Sequence, residues 1–241
     1  MTCGPIVTQM AGFPRYAIYH TAARAGDLDR FGAQHLGYDA WTGADLPFPK
    51  SVVESIPDWR ELTQDPRKYG FHGTLKAPMT LAEDKSENEL LAACAAFSNS
   101  PRRIPIIRPV VQSISGFIAV IPAEPSRDLQ VLAADCVEAF DDFRALLTAE
   151  DRARRNPAKL SARQCEYLDR WGYPYVMDEF RFHMTLTGRL DASRREPILS
   201  LLQTRFAQLG IERLAIDRIA LFKQDNAASR FRIIAQWQLR V

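Results

Sequence analysis

Two five-residue stretches decide the fold: Phe-His-Gly-Thr-Leu at 71–75 and Phe-His-Met-Thr-Leu at 182–186. They hold two of the chain's four histidines, which lie 111 positions apart. Side chains alternate between the two faces of a β-strand, so each histidine shares a face with the threonine two positions later. Each stretch therefore predicts a half-buried strand with an apolar core face and an open face that carries an imidazole and a hydroxyl. The repetition favours a functional pair over two unrelated structural histidines.

The open faces contain further polar groups when the alternation is extended along each strand. Lys76 follows Thr74 on the first strand, while Arg181 and Thr187 flank the second motif. Hydroxyls donate hydrogen bonds to phosphate oxygens, and a lysine or arginine neutralises the negative charge. The predicted phosphate-binding residues are therefore Thr74, Thr185, Lys76, Thr187 and Arg181.

His72 and His183 are predicted to be catalytic. An unperturbed imidazole titrates near ~6.5, so two histidines beside one phosphorus can divide the acid and base roles. A neutral histidine takes a proton from the attacking water or hydroxyl, and a protonated one gives a proton to the leaving oxygen. This chemistry needs no metal, and the sequence has no H-E-x-x-H motif or close His/Asp cluster. We expect no cofactor and no metal site.

Two other features have open interpretations. Tyr173 and Tyr175 precede the second motif and could stack on a base or sugar, although anchoring of the turn at Pro174 is the preferred interpretation. The basic residues at 152–163 could meet a polyanion, but the acidic residues among them favour a solvated helix face. The two remaining histidines lie outside the motifs: His20 is predicted to be a core or edge residue, and His35 is predicted to be exposed on a helix.

The composition is that of a globular protein, with 241 residues, 46% hydrophobic and 25% charged. The net charge of +2 argues against binding of nucleic acid by bulk electrostatics, but permits a small anionic ligand held by local cations. The four cysteines are scattered and predict neither a zinc site nor a disulfide framework. No apolar stretch is long enough for a membrane span, and residues 1–13 lack a signal-peptide pattern. We expect a cytoplasmic protein without a membrane partner.

The predicted order of elements is that of an α+β protein. Each motif strand is followed by a helix and then by strands, which suggests a distant internal duplication. The segment at 39–69 is predicted to be a long loop with short turns, and the proline-containing strand at 104–112 to be an edge strand. Strands are predicted at 15–20, 70–77, 104–112, 116–121, 179–187, 214–224 and 231–239. Helices are predicted at 27–36, 86–97, 126–147, from 148, at 161–171 and at 193–210.

The paired His-x-Thr-Leu motifs resemble those of the two-histidine (2H) phosphoesterase superfamily, which includes 2′,3′-cyclic phosphodiesterases and bacterial 2′-5′ RNA ligase-like proteins. The resemblance implies a single bilobal domain over 1–241, with a first motif half at about 1–115 and a second at about 116–241. It also implies two pseudo-symmetric antiparallel sheets with outer helices around a central cleft. In that family the motif histidines act as acid and base, and the motif threonines bind phosphate. The sequence at 15–19 and 69–78 is similar to a bacterial branch often encoded beside phosphonate-degradation genes.

Two functions remain open at this point. The first is a metal-independent phosphodiesterase that hydrolyses a cyclic phosphate or small phosphodiester, for which a ribosyl cyclic phosphate from phosphonate breakdown is a candidate. The alternative is a non-catalytic module that holds a nucleotide or RNA end in the same cleft. The histidines favour the enzyme, because a lysine or arginine would bind phosphate equally well. The long loop and central helical segment differ from the RNA-processing members, so a small phosphorylated partner is favoured over an RNA end.

Overall fold

The computed structural model describes residues 12–241 and has the α+β architecture predicted from the sequence. Cys3 and most of the stretch searched for a signal peptide lie outside the described residues. No helix within the described range combines the length and apolar character needed to cross a membrane.

Seven of the strands in this range form one antiparallel sheet in the order β4-β5-β6-β2-β1-β8-β9, and β3 pairs with β7 separately. The proline-containing strand β4 is at the edge of the sheet, as predicted. The strands are β1 (Arg15–His20), β2 (Gly73–Thr80), β3 (Ile106–Ile107), β4 (Pro109–Ile114), β5 (Phe117–Pro122), β6 (Met184–Thr185), β7 (Leu214–Ala215), β8 (Arg218–Gln224) and β9 (Arg232–Gln238).

The helices begin and end at residues that satisfy their free backbone groups. Gly37 ends the first one at a φ of 66°, a left-handed conformation that glycine adopts without strain. Ser86 and Ser161 each open a helix with a capping box, in which the serine and the residue three positions later bind each other's backbone N–H. The helices are α1 (Asp27–Leu36), α2 (Lys50–Ser55), α3 (Trp59–Leu62), α4 (Gln64–Arg67), α5 (Glu87–Asn99), α6 (Arg127–Ala139), α7 (Ala149–Arg154), α8 (Ala162–Trp171) and α9 (Ala192–Ala207).

Several predicted segments differ from the structure. The strand predicted at 104–112 is divided into β3 and β4, the one at 214–224 into β7 and β8, and the one at 179–187 is reduced to β6. The region at 39–69 contains the short helices α2, α3 and α4 rather than a loop, because Trp59 is fully buried and anchors it against α1. The helix predicted to reach residue 147 ends at Ala139. Phe140 is buried there, and Asp141 turns back to bind Lys76, so the chain leaves the helical path.

The two motif strands meet in the middle of the large sheet. Gly73 of β2 lies opposite Met184 of β6. This pair joins β4-β5-β6 on one side to β2-β1-β8-β9 on the other. The predicted division near residue 115 stays a prediction, and strand pairing crosses it, because β4 pairs with β5 and β8 pairs with β1.

Both motif phenylalanines lie against glycines on the core side. A Cβ added at Gly32 of α1 would lie 2.0 Å from the ring of Phe71, and one added at Gly73 would lie 2.4 Å from the ring of Phe182. Both rings are buried. The second contact crosses from one motif to the other, so a glycine at position 73 allows the two motif strands to approach.

We expect Gly73→Ala to lower the free energy of unfolding by about 1–3 kcal/mol, since the new methyl group would overlap the Phe182 ring. Urea denaturation measures this change. The double variant Gly73→Ala/Phe182→Leu is the matched control, because the smaller side chain makes room for the methyl group. Its loss of stability should be less than the sum of the two single losses. Additive losses of unfolding free energy would show that the Phe182 ring does not restrict the size of the residue at position 73.

Candidate functional site

The pairing of Gly73 with Met184 brings the polar residues of the two motifs together. Continuing this antiparallel register by one residue places His72 opposite Thr185, and Thr74 opposite His183. Directly opposed Cβ atoms in such a pair lie about 4.5–5.5 Å apart, and diagonal neighbours about 7–8 Å apart. The two histidines are diagonal neighbours. The four side chains therefore lie close together on one face of the sheet.

Two adjoining cavities of about 390 and 500 Å³ are lined by these two histidines and two threonines. His72 and Thr185 line the first cavity, and His183 lines the second. Thr74 and Tyr173 line both. The cavities are thus two parts of one cleft that runs across the motif strands.

The two histidines are held in the same way. Nδ1 of His72 lies 2.9 Å from the Gly70 carbonyl oxygen, and Nδ1 of His183 lies 2.7 Å from that of Arg181. A carbonyl only accepts hydrogen bonds, so each Nδ1 carries the proton and each Nε2 keeps its lone pair. Nε2 of His72 lies 3.3 Å from Thr74 Oγ1, whose hydroxyl donates to it. In both histidines Nε2 is the atom available for proton transfer.

Gly70 supports this arrangement through its backbone. Its φ is 75°, and a Cβ at this position would lie 2.8 Å from the Cβ of Ala40. Only glycine combines this conformation with such a close approach. The turn it makes places the carbonyl that binds His72.

Burial against aromatic rings favours the neutral form of both histidines. Tyr19 stacks on His72 with ring centroids 3.8 Å apart, and Phe117 lies 5.5 Å from His183. Burial lowers the pKa of His183, and it lowers the pKa of His72 to about 4. The positive charge of His183 also lowers the pKa of His72.

The structure corrects the predicted placement of Lys76 on the open face. Tyr19 lies opposite Thr74 and Ile18 opposite Lys76, so β2 has an extra residue that breaks the alternation. Lys76 is 3% exposed, and its Nζ donates to Val137 O at 2.8 Å and to Asp141 at 2.7 Å. It lines neither cavity.

Thr187 is likewise absent from the open face. It is fully buried, and its hydroxyl accepts from the Ile118 N–H at 3.0 Å and donates to the Gly188 carbonyl at 2.9 Å. Both of its hydrogen-bonding roles are thus filled by backbone at the end of the second motif. Its predicted position beside Thr185 was wrong because regular strand pairing ends at Thr185.

The other predicted residues lie along the cleft. Arg181 is exposed and lines the second cavity, while its carbonyl holds His183. Tyr175 lines the second cavity, and its ring meets that of Tyr173 edge-on at 5.6 Å. Binding of substrate by these three residues, and by Thr74 and Thr185, stays a prediction.

The chain matches over residues 74–232 a family described as "Protein of unknown function (DUF1045)". It belongs to this family. Two curated relatives carry the name ribose 1,5-bisphosphate phosphokinase PhnN. The relative from Janthinobacterium sp. (strain Marseille) is 35% identical over 230 residues, which are 93% of this chain and 50% of the relative. The relative from Laribacter hongkongensis (strain HLHK9) is 31% identical over 221 residues, 91% of this chain and 50% of the relative. The chain thus spans about half the length of both.

Solved structures resemble this family member over most of its length at low sequence identity. A crystal structure of a phosphoesterase has 15% identity and a TM-score of 0.40, covering 95% of this chain and 99% of that one. E. coli LigT complexed with 3′-AMP has 13% identity and a TM-score of 0.39, with the same coverage. The conserved protein of unknown function ATU0111 from Agrobacterium tumefaciens str. C58 has 10% identity and a TM-score of 0.45, covering 92% and 86%.

Several residues that line the cleft were not among the predicted site residues. Tyr19 and Arg15 belong to β1, where the alternation of a strand places them on the face opposite His20. Tyr69 is two positions before the first motif. Arg155 was grouped with the solvated basic residues at 152–163, yet it lines the first cavity together with Tyr19, Arg15 and Tyr69.

The two histidines outside the motifs are both buried. His20 is a core residue as predicted, with Nδ1 3.1 Å from the Arg218 carbonyl. His35 was predicted to be exposed, but it is 1% exposed and its Nε2 accepts from Arg205 Nε at 2.8 Å. Burial lowers the pKa of each to about 4. No group of three or more His, Cys, Asp and Glu side chains within residues 12–241 is arranged to hold a metal ion.

We expect the free energy of unfolding to decrease as the pH falls from about 6.5 toward 4. The pKa values of His20, His35 and His72 are about 4 in the folded state, so the unfolded state binds protons first in this range. Each histidine contributes a slope of up to about 1.4 kcal/mol per pH unit. Urea denaturation at several pH values measures it.

His20→Asn isolates one of these contributions, because the amide can still donate to the Arg218 carbonyl but does not titrate. We expect its slope to be shallower by up to about 1.4 kcal/mol per pH unit. A slope equal to that of the wild type would show that His20 is not held neutral in the folded protein.

Proposed function

We propose that this protein is a metal-independent phosphodiesterase that hydrolyses a cyclic phosphate or other small phosphodiester. The observation that carries the proposal is the pairing of Gly73 with Met184, whose register places each motif histidine opposite the threonine of the other motif. Both imidazoles keep Nε2 available for proton transfer. The resemblance of the motifs to those of the 2H phosphoesterases supports the same chemistry.

His72 is the proposed general base, because its Nε2 already accepts a hydrogen bond from the Thr74 hydroxyl, and His183 is the proposed general acid. Nε2 of His72 takes a proton from water as the water oxygen attacks phosphorus. The bond from phosphorus to the leaving oxygen breaks, and Nε2–H of His183 protonates that oxygen. The cycle ends with His72 protonated and His183 neutral, and exchange with solvent restores the starting state.

Thr74 and Thr185 are the proposed ligands of the non-bridging phosphate oxygens. In the free protein the Thr74 hydroxyl donates to His72, so a bound phosphate would take over this hydrogen bond and free Nε2 for the attacking water. Arg181 at the second cavity adds positive charge near His183. Tyr173 lines both cavities and is the residue placed best to contact the substrate outside the phosphate.

The names of the curated relatives support a ribosyl cyclic phosphate as a candidate substrate, since ribose 1,5-bisphosphate is itself a phosphorylated ribose. Kinase activity is not part of the proposal. The P-loop pattern G-x-x-x-x-G-K-[ST], which cradles nucleotide phosphates, does not occur in this sequence.

We expect His72→Ala and His183→Ala each to lower kcat by about 100-fold or more, because each variant removes one proton transfer. The assay measures turnover of 2′,3′-cyclic nucleotides and ribose cyclic phosphates in the presence of a chelator. His20→Asn is the matched control, since this histidine lines neither cavity and its variant should retain wild-type turnover. Full activity of either motif variant would exclude the two-histidine mechanism, and tight binding without turnover in the wild type would favour the binding module.

We expect kcat/KM to follow a bell-shaped pH profile with its maximum below about pH 6.5. The pKa values of both free histidines are lowered, so the reactive form with one proton is most abundant in the acidic range. A bound phosphate anion favours the charged imidazole, so the maximum of kcat should lie at a higher pH than that of kcat/KM. A kcat/KM maximum above about pH 7.5 would contradict the neutral resting state of the pair.

A further inference from the structure

The first cavity contains more positive charge than one phosphate requires. Four arginines and one aspartate line it, namely Arg15, Arg144, Arg154, Arg155 and Asp151. Asp141 binds Arg144 at 2.9 Å, and Asp151 binds Arg154, so two of these guanidinium groups have carboxylate partners. The remaining two, Arg15 and Arg155, need a different explanation.

Within residues 12–241, neither Arg15 nor Arg155 has a carboxylate within 4.0 Å. Arg15 Nε donates at 2.9 Å to Gln224, whose own amide donates to the Ser229 carbonyl at 2.7 Å. This neutral partner fixes the direction of the guanidinium and leaves its charge in place. The Arg155 guanidinium lies 5.1 Å from the ring of Tyr173.

Tyr19 lines the same cavity as these two cations. Tyr19 is 1% exposed, lines the first cavity, and its hydroxyl has no hydrogen-bond partner among the described residues. Burial raises the pKa of Tyr19, the charges of Arg15 and Arg155 lower it, and Tyr69 and Tyr173 raise it further. All four side chains therefore act on the Tyr19 hydroxyl. The hydroxyl is therefore available to donate a hydrogen bond to a ligand in this cavity.

We propose that Arg15, Arg155, Tyr19, Tyr69 and Tyr173 form an anion subsite that binds a second phosphate group of the substrate, a phosphate monoester. This inference rests on the proposed function for the position of the first, reacting phosphate. Tyr19 stacks directly on His72, so the anion subsite begins behind the His72 ring, away from His183. The substrate class is a small phosphodiester or cyclic phosphate that carries a separate phosphate monoester.

The two ends of the cleft differ in a way that sets the direction of this substrate. Apolar side chains line much of the second cavity, among them Ile114, Phe117, Val176 and Phe180, and its two arginines, Arg181 and Arg189, are accompanied by Glu179. The free cations of the first cavity therefore favour the monoester on the His72 side. A monoester carries up to two negative charges and three terminal oxygens, which matches two guanidinium forks and a phenol better than an internal phosphodiester does.

Calorimetry with two product-like probes tests the anion subsite. Adenosine 2′-monophosphate supplies one phosphate, and adenosine 2′,5′-bisphosphate supplies a second at the sugar 5′ position. We expect the wild type to bind the bisphosphate at least about 10-fold more tightly, because the second phosphate gains charge-assisted hydrogen bonds. Arg155→Gln should weaken bisphosphate binding by about 10- to 100-fold and reduce the preference.

Arg152→Gln is the matched control. Arg152 is on α7, which Arg155 follows directly, and it loses the same charge in the variant, but it is paired with Asp169 and lines neither cavity. This variant should keep the wild-type preference for the bisphosphate. Equal effects of the two substitutions would overturn the anion subsite, because a general loss of positive charge would then explain the change.

Equal binding of the two probes by the wild type, including no measurable binding of either, would also overturn the anion subsite. Stronger binding of a dinucleotide with an internal phosphodiester than of the bisphosphate would overturn the monoester and favour an RNA end. Turnover of 2′,3′-cyclic AMP with and without a 5′-phosphate separates the two proposals. An Arg155-dependent preference for the bisphosphate without turnover would support the anion subsite and overturn the hydrolytic function. Turnover without this preference would support the hydrolytic function and overturn the anion subsite.

Discussion

The backbone pairing of Gly73 with Met184 is the constraint on which the candidate site depends. It joins the two parts of the large sheet at the two motifs and sets the register between them. A slip of one residue would turn the side chains of one motif to the opposite face. The register is protected on the core side, where the ring of Phe182 lies over Gly73 and leaves no room for a side chain. Core packing and the alignment of the polar groups are therefore two consequences of the same contact.

The electrostatic character of the cleft follows from what this register buries. The imidazoles are partly removed from water and are neutral at rest, while arginines on the His72 side keep positive charge without carboxylate partners. A phosphate anion that enters such a cleft is attracted by the arginines. It also raises the affinity of the imidazoles for protons. Binding of the ligand thus prepares the protonated histidine that the proposed mechanism needs.

The sequence predicted the parts of the site that depend on local periodicity. His72, Thr74, His183 and Thr185 were placed correctly along the cleft because alternation holds over three residues on each strand. Alternation did not predict the position of Lys76, because an extra residue in β2 moves the side chains after it to the opposite face. Such a bulge arises from pairing with a strand that is distant in sequence.

Contacts between distant segments account for the other missed features. Arg155 looks like its neighbours in sequence, and only ion pairs formed in three dimensions distinguish it. Arg152 finds Asp169, whereas Arg155 reaches the ring of Tyr173. Burial of His35 depends in the same way on Arg205, which comes from a helix 170 positions later in the chain. The periodicity of one segment gives no information about partners from distant segments of the chain.

Lys76 is buried away from the cleft and affects it through its contacts. Its ammonium group binds Asp141, and the same carboxylate binds Arg144, which lines the first cavity. The Arg144 guanidinium also donates to the Arg170 carbonyl at 3.0 Å and so ties this wall to the end of α8. Removal of a charge from a buried network leaves its partners uncompensated, so these contacts resist rearrangement. Lys76 of the first motif strand thereby stabilises the position of Arg144 in the lining of the first cavity. The residue that was expected to bind phosphate directly instead stabilises the shape of this cavity.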